Sequence, residues 1–109
     1  MCTVMKTSLA LAISFLALSA KAETVEVVQV NQTFMTGEAK AATVKIKKGD
    51  KIKFKNSDKV THNVFAESSF DLKAQPPGDE RTQSFEDEGK FTIRCAIHPK
   101  MKFNVEVGK

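Results

Sequence analysis

Hydrophobic and polar residues alternate in several short segments of the chain, which is the pattern of β-strands with one buried face. The segments that show it are 25–30, 44–47, 51–55, 60–65, 91–95 and 101–107. Beyond residue 22 we find no convincing helical period. Short strands at this spacing predict an all-β domain, either an antiparallel sandwich or a barrel.

Two connections between these segments also carry predictions. Gly49-Asp50 separates segments 44–47 and 51–55, so we interpret the pair as a β-hairpin. Segment 66–81 has weak periodicity and contains Pro76-Pro77-Gly78, which predicts a long loop. At the C-terminal end, Phe91, Ile93 and Cys95 share one face of a predicted strand. Met101, Phe103, Val105 and Val107 share one face of the next.

The N-terminus has the features of a secretory signal peptide. An apolar run at 9–20 follows Lys6 and ends in the small-residue pattern Ala20-Lys21-Ala22. The run is shorter than the roughly 20 residues that a spanning helix needs. We therefore predict a signal peptide over 1–22 that is cleaved after Ala22, without a membrane anchor. The exported domain, 23–109, is expected to be a periplasmic monomer.

Composition restricts the function of that domain. The 109-residue chain has a net charge of +4 and contains two Cys, two His and neither Tyr nor Trp. These numbers exclude a multidomain enzyme and argue against a zinc finger and against nucleic-acid binding. Cys2 would be lost with the signal peptide, so Cys95 cannot form an internal disulfide. It must be buried, reactive or bound to a metal.

Cys95 begins a Cys-x2-His-x2-Met pattern that also contains His98 and Met101. The pattern connects two predicted strands, so its donors would lie on one tight loop. The remaining histidine, His62, is the fourth candidate donor. Two imidazoles, a thiolate and a thioether suit both Cu(II) and Cu(I), whereas zinc has little use for a thioether and non-haem iron prefers a carboxylate. We therefore predict one copper ion per chain.

With these residues the chain resembles the cupredoxins, the small type 1 (blue) copper proteins, and in particular the amicyanin and plastocyanin-like group. The matching segments are 48–50, 62–64, 88–91 and 95–101, and the short loop with Pro99 directly after His98 is similar to that of amicyanin. The resemblance implies an eight-stranded Greek-key β-sandwich with copper at one end. It also implies that His62, Cys95 and His98 are equatorial ligands and that Met101 is the axial ligand.

Three further residues receive roles through the same resemblance. Asn63 matches an asparagine that ties the two ligand loops together, and its backbone N–H would point at the Cys95 sulfur. Ile97 stands where amicyanin-like loops usually carry a proline, so its N–H could give the sulfur a second hydrogen bond. That bond would favour Cu(I), and Ile97→Pro is expected to lower the reduction potential. Pro99 would belong to an apolar patch through which His98 meets a redox partner.

The resulting function is electron transfer by a copper protein that is not an enzyme. Its redox partner would dock transiently near His98. The main alternative is a periplasmic copper protein for storage or delivery, which would prefer exposed, exchangeable ligands. Eight lysines between residues 40 and 59 form either a solvated sheet face or a docking face for an acidic partner.

Overall fold

The computed structural model describes residues 22–67 and 69–109, and every regular element in them is a β-strand. The strands are β1 (Thr24–Val30), β2 (Thr33–Thr36), β3 (Ala39–Lys40), β4 (Thr43–Lys47), β5 (Lys51–Asn56), β6 (His62–Ala66), β7 (Phe70–Gln75), β8 (Glu80–Ser84), β9 (Gly89–Arg94) and β10 (Lys102–Gly108). The predicted signal peptide, 1–22, lies outside the described residues except for Ala22.

The strands form two five-stranded sheets that enclose a shared core. The first sheet has the order β3-β2-β1-β5-β8 and the second has the order β4-β10-β9-β6-β7. Phe34 and Phe54 of the first sheet pack against Phe103 of the second, with ring centroids 4.9 and 6.3 Å apart. The predicted all-β sandwich is confirmed. It has ten strands in the described residues rather than the eight that the resemblance implies.

The sheets are mixed, which the antiparallel prediction did not include. β1 pairs with β5 in parallel and β4 pairs with β10 in parallel, while the other strand pairs are antiparallel. These parallel pairs arise where the chain changes sheets. When a turn carries the chain from one sheet to the other, the next strand pairs with a strand that is not its predecessor in sequence. The turn therefore does not force that pair to be antiparallel.

The predicted hairpin between segments 44–47 and 51–55 is wrong for this reason. β4 lies in the second sheet and β5 in the first, and the turn between them connects the sheets. Gly49 adopts a φ of 91° there, a conformation that glycine accepts readily. The Asp50 carboxylate accepts hydrogen bonds from the N–H groups of Lys47 and Glu23, each 2.9 Å long, and so fixes the corner to the start of β1.

The long loop predicted over 66–81 is also wrong, since β7 and the first residues of β8 lie within it. β7 is an edge strand, and most of its side chains are partly or fully exposed. Lys73 adopts a φ of 67°, and the register with β6 shifts between Asn63 and Phe65. An exposed, irregular strand needs no regular apolar alternation, so the sequence pattern is weak there.

The last strands follow the predicted faces closely. Ile93, Cys95, Met101, Phe103, Val105 and Val107 are all buried. In β1 the buried face continues through Gln29 rather than through Val30. No helix that could cross a membrane occurs in residues 22–67 and 69–109.

Candidate metal centre

The loop between β9 and β10 brings two sulfur-containing side chains to one end of the core. β9 and β10 are antiparallel neighbours, so the residues between them, 95–101, form a tight connection. The Met101 N–H donates to the His98 carbonyl (2.8 Å), and the Cys95 N–H donates to the Met101 carbonyl (3.2 Å). Cys95 is only 1% exposed and Met101 only 2%. The loop therefore holds both residues inside the protein.

His62, at the start of β6, meets this loop from the neighbouring strand. The Cys95 Sγ lies 3.7 Å from the Nδ1 atoms of both His62 and His98, and these two nitrogens are 3.1 Å apart. The three donor atoms lie within 4.8 Å of one another. Three of the four predicted ligands thus converge, although His62 lies 33 residues before Cys95 in the sequence.

The distances are compatible with one shared metal ion. Using the bond lengths of Zn²⁺ as a guide, a first-row ion lies about 2.0 Å from an imidazole nitrogen and about 2.3 Å from a thiolate sulfur. The separations of 3.1 and 3.7 Å are shorter than the sums of the corresponding bonds. One ion can therefore contact all three atoms. Two imidazoles and a thiolate, supplemented by a weak thioether, are the donor set of copper electron-transfer sites.

The two histidines differ in their access to solvent. His62 is completely buried, whereas His98 is partly exposed on the connecting loop. Ala96, Ile97 and Pro99 flank His98 in the sequence and are exposed, and Ile97 is 52% accessible. His98 is thus the candidate ligand that reaches the surface, and its neighbours are apolar.

Asp58 makes a contact with the site that the sequence analysis missed. Its Oδ2 lies 2.8 Å from the Nε2 of His62 and also accepts the Gln32 N–H at 2.8 Å. Because Nε2 donates to this carboxylate, Nδ1 keeps its lone pair and faces Cys95 and His98. An outer carboxylate of this kind orients a histidine ligand and strengthens its donor character. The only available signal was an acidic residue four positions before His62.

The environment of Asp58 favours its ionised form. Partial burial raises the pKa of this carboxyl. The hydrogen bonds from the Gln32 N–H, His62 and the Lys59 N–H outweigh burial and lower the pKa to about 2. Asp58 is therefore a permanent negative charge behind His62 at neutral pH.

The backbone of Asn63 occupies its predicted place beside the sulfur. Its N–H points at the Cys95 Sγ at a distance of 3.4 Å. Its side chain differs from the expectation, because Nδ2 donates to Asp71 Oδ1 (3.0 Å) and so connects Asn63 to β7 rather than to the 95–101 loop. Asp71 is the nearer partner because β7 pairs directly with β6.

The second hydrogen bond expected from Ile97 is not formed. Among the described residues, Asn63 supplies the backbone N–H that reaches the sulfur. Ile97 lies in the exposed part of the loop. This removes the physical basis for expecting a lower potential in Ile97→Pro. Pro99 is exposed beside His98, where the apolar patch was expected.

Buried amides support the segment that leads to His62. The Asn56 Nδ2 donates to the carbonyls of Gln75 (2.7 Å) and Val60 (2.9 Å), and its Oδ1 accepts the Asp58 N–H (2.9 Å). The Gln75 Oε1 in turn accepts a hydrogen bond from the Nε2 of Gln29 in the first sheet (3.2 Å). These contacts link both sheets to residues 57–61, which precede His62.

Comparison with known proteins identifies the family of this domain. The model of the copper-binding proteins of the plastocyanin/azurin family matches residues 23–108. The chain belongs to this family. It is 32% identical over 111 residues to the methylamine utilization protein MauL of Methylorubrum extorquens, covering 96% of this chain and 93% of MauL.

Solved structures of other copper proteins share the fold. A reduced mutant of amicyanin superimposes with a TM-score of 0.68 and 18% identity, over 84% of this chain and 87% of amicyanin. The copper-containing nitrite reductase of Thermus scotoductus gives the same TM-score with 21% identity, but this chain covers only 23% of that enzyme. At such identities the similarity establishes the fold and not the activity.

Family and geometry together make copper the cofactor of this cupredoxin. The His62–Cys95–His98 cluster is its potential metal site. The axial role of Met101 stays a prediction, supported by the burial of its side chain beside the same loop.

Proposed function

We propose that this cupredoxin is an electron carrier whose copper ion is held by His62, Cys95, His98 and Met101. The observation that carries the proposal is the convergence of two imidazole nitrogens and one cysteine sulfur within 4.8 Å at one end of the core. Copper supplies a one-electron couple between Cu(II) and Cu(I) when it is bound. The chain supplies donors that suit both oxidation states.

The roles of the ligands follow from their burial. His62 anchors the site, since it is fully buried and its Nε2 is engaged by Asp58. Cys95 provides the soft donor, and the Asn63 N–H withdraws charge from its sulfur. His98 connects the site to the surface through its exposed apolar neighbours. An electron would therefore enter and leave on the side of His98.

Burial of the sulfur donors favours an electron carrier over copper storage or delivery. Delivery requires ligands that a second protein can reach, but Cys95 and Met101 are almost inaccessible. A rigid sandwich also limits rearrangement when the oxidation state changes. Both histidines of the chain are assigned to this one site, so a second histidine-ligated centre for catalysis is not available. We therefore propose a non-enzymatic role.

Repeated oxidation and reduction of the copper-loaded protein tests this role. We expect reversible voltammetry over many cycles, with one copper per chain before and after. The control is the same experiment in the presence of a Cu(I) chelator, which should remove little metal from a carrier. Loss of the ion on each reduction would contradict electron transfer and support delivery.

We also propose that the chain acts in the periplasm after cleavage behind Ala22. The backbone nitrogen of Glu23 lies 2.9 Å from the Asp50 carboxylate. A new α-ammonium group at Glu23 would thus have a charged partner already in place. Mass spectrometry of protein from a periplasmic extract should give a chain that begins at Glu23. A cytosolic, uncleaved chain would contradict the proposal.

A further inference from the structure

Most lysines of the β5 strand already have acidic partners. Lys53 lies 3.7 Å from Glu26 and 3.4 Å from Glu80, and Lys55 lies 4.0 Å from Glu80. This part of the lysine-rich segment 40–59 is therefore a mixed surface with its charges largely balanced. Lys51 is the one lysine of β5 without a carboxylate within 4.0 Å in residues 22–67 and 69–109, so this strand offers little unpaired positive charge to an acidic partner.

A different group of lysines lies beside the candidate copper site. Lys40, Lys100 and Lys102 line one cavity of about 220 Å³ together with Met101. All three lysines are exposed, and none has a carboxylate within 4.0 Å in residues 22–67 and 69–109. We call these three residues the lysine cluster.

The lysine cluster adjoins the surface where His98 is exposed. Lys100 is two residues from His98 on the same loop, and Lys102 directly follows Met101. Asp58, an acidic residue on a segment that reaches the site, is engaged by His62, Gln32 and Lys59. No lysine of the cluster lies within 4.0 Å of that carboxylate, so none forms an ion pair with it.

We propose that the lysine cluster binds an acidic surface of the redox partner and thereby places that partner over His98. The inference rests on the proposed electron-transfer function. Positive charge in a concave surface raises the local concentration of anionic groups and accelerates encounter. A protein partner suits this arrangement better than a small anion, because the lysine cluster and the exposed apolar neighbours of His98 can be covered by one interface.

The test uses a hexaglutamate peptide as a model of an acidic surface. Amide chemical shifts of the purified protein are recorded by NMR during titration, both copper-free and with Cu(I). We expect the largest shifts at the lysine cluster. In the triple variant Lys40→Gln, Lys100→Gln, Lys102→Gln, we expect affinity to fall about tenfold, a typical sum for three exposed charge pairs.

The matched control is Lys45→Gln, Lys47→Gln, Lys90→Gln, which removes the same charge from exposed positions far from the loop. This control should bind the peptide almost as the unchanged protein does. Binding by the unchanged protein should also disappear in about 1 M salt, where the Debye length is about 3 Å. This salt test does not depend on the folding of any variant.

Three outcomes would overturn the proposal. These are equal losses in both triple variants, shifts located away from the cluster, or binding of hexacyanocobaltate(III) without binding of the peptide, which would indicate a site for small anions. The copper-free titration does not depend on the proposed function. If the protein bound the peptide but lost copper on reduction, the peptide-binding role of the lysine cluster would stand. The proposed electron-transfer function would be contradicted.

Discussion

Asp58 shows how a residue outside the ligand set can define a metal site. It joins His62 to the backbone of Gln32 and leaves the His62 Nδ1 free to bind. Asp58→Asn keeps the size of the side chain but removes the negative charge. We expect copper affinity to fall about 10- to 100-fold, the range for outer partners of histidine ligands. Competition with a chelator of known affinity measures this change.

Asp87→Asn is the control for Asp58→Asn, because it removes one negative charge at an exposed position outside the site. A similar loss in both variants would mean that Asp58 acts only through net charge. Unchanged affinity in Asp58→Asn would mean that the packing around His62 fixes the ring without the carboxylate.

At the scale of elements, Asn56 holds the segment between β5 and β6. Its side chain makes three hydrogen bonds in a fully buried position. Asn56→Ala would leave the Gln75 carbonyl without this donor, which costs on the order of 2 kcal/mol in the free energy of unfolding. Urea unfolding of the copper-free protein, followed by circular dichroism, measures the cost.

The comparison for Asn56→Ala is Asn104→Ala, which removes an exposed hydrogen bond to Thr92. We expect that variant to change the unfolding free energy by less than about 0.5 kcal/mol. Equal effects of the two substitutions would contradict a special role for the buried amide.

The corner between β4 and β5 gives the protein a dependence on acid pH. The hydrogen bonds from the Glu23 and Lys47 N–H groups lower the pKa of Asp50 below 3.8. A carboxyl with a lower pKa in the folded state stabilises the protein above its unfolded pKa, and this contribution is lost as pH falls through the folded pKa. We expect the melting temperature to fall below about pH 4.

Asp50→Asn should remove part of this acid dependence while lowering the melting temperature at neutral pH. In thermal melts between about pH 6 and about pH 2, the melting temperature of this variant should fall less steeply with decreasing pH than that of the unchanged protein. An acid limb with the same slope in Asp50→Asn would assign the effect to other carboxyls, such as Asp58.

At the scale of the whole molecule, the sequence predicted the sandwich and the ligands of the 95–101 loop because both depend on strong local signals. His62 was assigned as the remaining histidine and through the family resemblance. Buried faces of β9 and β10 require alternation, and the ligands of one loop lie close together in sequence. The sheet change at Asp50 was missed because a turn does not reveal which sheet receives the next strand. β7 was missed because an exposed edge strand has little apolar patterning.

The buried polar contacts were missed for a different reason. Asn56, Asp58 and Gln75 look like ordinary surface residues in the sequence. Their partners lie in other elements of the fold, so only the assembled structure shows that Asn56 and Gln75 are buried and that Asp58 is engaged.

Visible absorption and EPR during a Cu(II) titration test the central claim most directly. We expect an intense blue thiolate-to-copper band that saturates at one copper per chain and is absent in Cys95→Ser. Since the protein has neither Tyr nor Trp, thiol and metal should be quantified chemically. A colourless complex, or a band that survives Cys95→Ser, would contradict a copper site built on the Cys95 thiolate.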